Sequence, residues 1–204
     1  MRTSATHQLR LLLAFASLAA LLTTAQAATY SLAGDFTYTE NTAGSLWSFR
    51  MDDYANNPPT FLPLLNDTTR NAATLWGTPF ATPPTMWSEG GGYWGIGKNT
   101  TGVEQNASGV AWAPDEVLLH PKGGGSPARL VICWRAPRSM VVNVHYSFRK
   151  AMTCGNGVGY ELRTRLGGVD TEVVAFNNIG GSVTRDQLGL SFGTGDQMFF
   201  RMDT

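Results

Sequence analysis

Residues 142–149 alternate without a break. Val142, Val144, Tyr146 and Phe148 fall on one side of the backbone, and Asn143, His145, Ser147 and Arg149 on the other. Successive side chains leave a pleated strand on opposite faces, so a strict period of two means one buried and one solvated face. Nothing beyond residue 27 carries a comparable 3.6-residue period. A chain of this kind hides its apolar surface by pairing strands. Gly, Pro and Asn divide it into many short ones, which predicts an all-β antiparallel sandwich or barrel.

The alternating run has a neighbour. Residues 130–134 are equally β-rich, and Ala136-Pro137-Arg138-Ser139 separates the two. Run, Pro-containing turn and run predict a β-hairpin. Residues 29–39 predict a first strand kinked at Gly34, and 44–50 a second. Residues 51–86 hold Pro58, Pro59, Pro63, Pro79, Pro83 and Pro84. Proline lacks the ladder donor, so this stretch is an excursion with short β pieces near 61–65 and 73–76. Tyr93-Trp94 opens another strand, and more follow at 112–119, 160–166, 171–176, 182–184, 187–192 and 197–201. In 160–166, Glu161, Arg163 and Arg165 lie opposite Tyr160 and Leu162 and read as an outward face.

Residues 1–27 read as a secretory signal peptide. Arg2 and Arg10 precede an apolar run at 11–22, and Ala25-Gln26-Ala27 is a small-x-small cleavage signal. The run is too short for a transmembrane helix, which needs roughly 20 apolar residues. The expected product is secreted, a single domain over residues 28–204. Removing Arg2 and Arg10 leaves acids slightly in excess. That gives no basic footprint for nucleic acid or anionic membrane. Cys133 and Cys154 are the only cysteines. An exported protein favours a disulfide between them. The expected hairpin holds them too far apart, which favours separate thiols.

An ordered set of short motifs runs through the chain: Gly34-Asp35-Phe36, Leu46-Trp47-Ser48-Phe49, Leu119-His120-Pro121, Trp134-Arg135-Ala136-Pro137 and Gly195-Asp196-Gln197-Met198-Phe199-Phe200. In this order it resembles a family of exported bacterial jelly-roll domains found ahead of a C-terminal sorting tail. The resemblance implies a two-sheet antiparallel jelly-roll β-sandwich similar to carbohydrate-binding modules, and no known catalytic set. Cys133 and Cys154 depart from the pattern. The family usually continues into one more strand beyond the position of Thr204, so an unpaired sheet edge is expected.

The aromatic residues are the main functional feature. Trp87, Tyr93, Trp94 and Trp112 cluster beside Gly90-Gly91-Gly92 and polar neighbours. Flat rings stack on the apolar C–H faces of sugars, so these four are the candidate ligand-binding residues, with polysaccharide or glycoconjugate as partner. Tryptophan also fills cores, and Trp47 and Trp134 are assigned there. No catalytic residue is assigned. There is no G-x-S-x-G elbow. His120 reads as a loop-bonding side chain and His145 as a solvated strand position. Glu89, Glu104, Asp115, Glu116, Glu161 and Glu172 leave a polysaccharide-degrading enzyme as an alternative, and a structural surface protein is another. No zinc-type spacing occurs and no metal ligand is assigned. The resemblance allows a structural calcium, with Asp35, Asp52, Asp53 and Asp203 as possible ligands. Asn66, Asn99 and Asn106 begin N-x-Ser/Thr triplets, which predicts polar surface segments.

Overall fold

The computed structural model describes residues 27–52, 60–62, 64–66, 85–87, 95–107, 110–121, 129–151 and 158–203. The chain divides into two units, Met1–Tyr30 and Ser31–Thr204. Of the first, residues 27–30 are described and are irregular. The second is all-β, with antiparallel sheets. No helix among the described residues is long and apolar enough to cross a membrane.

Six strands form the principal sheet. They are β1 (Trp47–Asp52), β2 (Thr60–Phe61), β9 (Arg129–Arg135), β11 (Val158–Leu166), β12 (Val169–Ile179) and β14 (Gln197–Asp203), in the order β12-β11-β14-β9-β1-β2. A second group runs β3 (Leu64–Asn66), β4 (Thr85–Trp87), β5 (Gly95–Lys98) and β8 (Val117–His120). β6 (Gln105–Ala107) pairs with β7 (Val110–Trp112), and β10 (Met140–Arg149) with β13 (Ser182–Phe192).

The expected hairpin does not form. β9 pairs with β1 and β14, whereas β10 pairs with β13. Pro137 and its neighbours carry the chain from one sheet to the other. The reason lies in the two strands' needs. β9 is buried along nearly its whole length and requires a partner on both edges, while β10 alternates and requires one open face. The alternation itself holds: Val144 and Tyr146 are buried, and Asn143, His145, Ser147 and Arg149 are exposed.

That burial makes the core. Tyr146 and Phe148 meet Tyr160 and Phe200 of the principal sheet, with ring centroids 5.0 to 5.7 Å apart. Trp134 meets Phe192 edge-on at 5.3 Å. Phe49, Leu130, Ile132, Leu162, Met198 and Met202 complete the buried face. Trp134 is thus in the core as expected, whereas Trp47 is half-buried and its Nε1 donates to Asp35.

The first expected strand is also absent. Leu32–Asp35 is one helical turn. Ser31 Oγ accepts from Gly34 N–H, and Asp35 Oδ2 accepts from Ser31 N–H at 2.8 Å. These local bonds satisfy the backbone without a ladder. Beyond it, Tyr38 fastens the segment to β5. Its hydroxyl donates to the Lys98 carbonyl and accepts from the Lys98 N–H. Burial raises its ionisation to about 12, against the Lys98 backbone bond. Expected strands 171–176, 182–184 and 187–192 are longer than their sequence suggests, merging into β12 and β13. Residues 112–119 instead split into β7 and β8 around a turn, where Asp115 adopts φ 61°.

Candidate ligand-binding face

Of the four aromatics, Trp112 alone has its side chain among the described residues. Trp87 lies in β4, its backbone opposite Ile96 and Leu64. Tyr93 and Trp94 lie outside the described residues. Trp112 is 2% exposed, and its Nε1 donates to the Glu116 carbonyl at 2.8 Å. Strand alternation turns both Val110 and Trp112 inward, so burial withdraws this ring from any exposed stacking platform.

On the polar face of β11 that the alternation predicts to be outward, Arg163 and Arg165 are half-buried and Glu161 is buried. Glu161 is 4% exposed. Its Oε1 accepts from Arg129 Nη1 at 2.8 Å and from Arg201 Nη1 at 2.7 Å. Arg201 continues to Asp52 and Arg129 to Asp203. Register sets these contacts, since Glu161 lies opposite Arg201 across the β11–β14 pair. Next to them, Arg50 and Arg165 both approach the Phe199 ring, at 5.5 and 5.3 Å. Arg50 Nη2 also donates to Cys133 Sγ at 2.9 Å. Cys133 is free and buried, and Cys154 lies outside the described residues. Burial pushes the Cys133 thiol up, against the pull of Arg50 and Ser48. A thiol held protonated is a poor nucleophile, so Cys133 is a packing residue. Arg129 and Arg201 are thus spent on Glu161, Asp203 and Asp52.

The exposed face of β10–β13 is different. Cross-strand register builds polar rungs between β10 and β13, and Glu116 of the turn before β8 adds one at their end. Arg149 Nε and Nη2 grip Glu116 at 2.6 Å each. Ser147 and Thr184 share a hydroxyl hydrogen bond of 3.1 Å. His145 Nδ1 meets Asp186 Oδ1 at 2.8 Å. Asn143 Oδ1 accepts from Gly189 N–H at 2.9 Å. Gly189 has φ +72°, a backbone that favours glycine, and it forms an irregularity where β13 carries one residue more than β10. Beside it Leu188 is 73% exposed, and Val141 at the start of β10 is 67% exposed. The sequence marked His145, Asn143 and Ser147 as solvated. It missed Asp186, Thr184 and Leu188, because only the pairing of β13 with β10 brings them there.

The remaining candidates are dispersed. His120 ends β8, opposite Gly95. Among the carboxylates named for calcium, Asp52 and Asp203 are ion-paired, Asp35 caps its helical turn, and Asp53 lies outside the described residues. No group of three or more His, Cys, Asp or Glu side chains fit for a metal is found among the described residues. Asn99 reverses its surface reading. It is 2% exposed, and its side chain ties the Val103 and Trp112 carbonyls to Thr101. Asn106 is exposed as expected and bonds Glu104. No protein-family model matches the chain, and neither a curated protein nor a solved structure is significantly similar to it.

Proposed function

We propose that this is an exported, non-catalytic β-sandwich module of the jelly-roll type that binds extracellular glycan. The observation that carries the reading is the open face of β10–β13, where donors and acceptors stand beside exposed aliphatic side chains. Sugar rings offer both hydroxyls and apolar C–H faces, and such a mixed surface answers both. Trp87, Tyr93 and Trp94 remain part of the proposal as stacking residues. Affinity electrophoresis of the mature chain in a panel of polysaccharides, with and without calcium, tests it. Retardation by at least one polymer, weakened in Trp87→Ala or Trp94→Ala at an unchanged unfolding midpoint, is expected. A folded chain that no polymer retards would sink the reading.

A structural surface protein is the second reading, and β12 favours it. This strand ends the principal sheet, runs for eleven residues and has neither Pro nor Lys, with Val169 and Phe176 exposed. Such an edge is a template for pairing. Concentration-dependent mass growth in light scattering, with no glycan binding, would select it.

A further inference from the structure

We infer that the β10–β13 face takes an extended, uncharged polyhydroxylated chain lying along β10, a proposal that deepens the glycan reading above and rests on it. The first argument is charge. Arg149 is matched by both oxygens of Glu116, and Asp186 is hydrogen-bonded by His145 Nδ1. Arg185 stands opposite Tyr146, whose ring points into the core, and bonds the Thr184 carbonyl. The charges of the face thus come in opposite signs, Arg149 with Glu116 and Arg185 one residue from Asp186, and an acidic or basic ligand gains little over a neutral one.

The second argument is spare hydrogen-bonding capacity. Ser147 and Thr184 use one donor and one acceptor between them, which leaves another O–H and several lone pairs. His145 is bound through Nδ1, which leaves Nε2 for a ligand, and Asp186 keeps its second oxygen. Both side chains are more than half exposed. A hydroxyl-rich ligand uses donors and acceptors alike, as these rungs supply them.

The third argument is shape. The rungs recur every second residue from Val141 to Arg149, a span of about 27 Å at the usual strand rise. That length suits several sugar units in line rather than one compact ligand. At one end Leu188, set out by the Gly189 irregularity, and Val141 supply an apolar step for a sugar C–H face.

Isothermal titration calorimetry of the mature chain tests this, using neutral oligosaccharides of increasing length and uronic-acid oligosaccharides of matched length. Expected are affinity that rises with length to a plateau, indifference to added salt, and roughly tenfold weaker binding in His145→Ala and in Leu188→Ser, the loss of about one good contact. The unfolding midpoints of both variants should not move, since both side chains are exposed. Tighter, salt-sensitive binding of the acidic series would overturn the inference. So would full binding in both variants with loss in Trp87→Ala, although the glycan reading would then survive. Absence of binding to either series would end both.

Discussion

Two polar ladders cross this molecule, and they are built from similar residues. On the principal sheet, Glu161, Arg129, Arg201, Asp52 and Asp203 are drawn together under cover. On β10–β13, His145 and Asp186 stand in solvent, and the exposed Arg149 pairs with the half-buried Glu116 of the β7–β8 turn. The first uses its charges on itself in low dielectric, where partners are strongly felt and a missing one is costly. The second is wet, weakly coupled and keeps bonding capacity in hand. A buried ladder of this kind fixes strand register, whereas an exposed one is free to recognise something else.

The widest separation between the two comes from deletion. Glu161→Ala removes the carboxylate that Arg129 and Arg201 share, leaves each its Asp partner, and is expected to cost about 1–3 kcal/mol, read by chemical denaturation. Ser147→Ala on the open face should stay within about 0.5 kcal/mol of the parent. Equal losses would erase the distinction. A smaller contrast follows from geometry at the open face. Gly189→Ala forces a side chain into the left-handed region and is expected to destabilise by about 1 kcal/mol. It should also displace Leu188, so a loss of ligand affinity accompanies it.

Salt gives the finest test. The Arg149–Glu116 coupling, taken from a double-mutant cycle, should fade at 1 M ionic strength, where the screening length is about 3 Å. The Arg201–Glu161 coupling should persist. Alkali probes a third site that belongs to neither ladder. Unfolded tyrosine ionises near pH 10, whereas Tyr38 in the fold holds its proton to about 12. Its raised value contributes stability below pH 10 that is lost as the pH climbs to 12, because the unfolded chain sheds the proton first. Tyr38→Phe should flatten that part of the stability profile.

The same comparison explains what the sequence could and could not disclose. The period in 142–149 is legible because one face of β10 is dry and the other wet. In 160–166 the period is equally clear, yet Glu161 is buried. Alternation reports that two faces differ in polarity, not that the polar one meets water, and Arg129 and Arg201 come from distant strands. The strand at 130–134 was legible from its composition, but its partner was not. Four residues connect a hairpin or a change of sheet equally well, and the decision rests on β1 and β14. Asn177-Asn178 and Arg185-Asp186 fall outside the expected strands, yet β12 and β13 run through them, because cross-strand pairing holds their backbone extended. The aromatic signal divided in the same way: Trp112 is spent on packing, a use that its polar neighbours in the sequence concealed.

The strand order carries a kinetic consequence. β14, the last of the described strands, lies inside the principal sheet between β11 and β9, and β9 pairs on its other edge with β1 from far upstream. Delivered N-terminus first, the chain can pair β9 with β1 and β11 with β12 as they emerge, but only residues 197–203 join these two parts of the principal sheet. Closure is then a late, long-range event, and such topologies mature slowly. The same delay leaves unpaired edges open to a neighbouring chain, so crowding during that interval sets the yield.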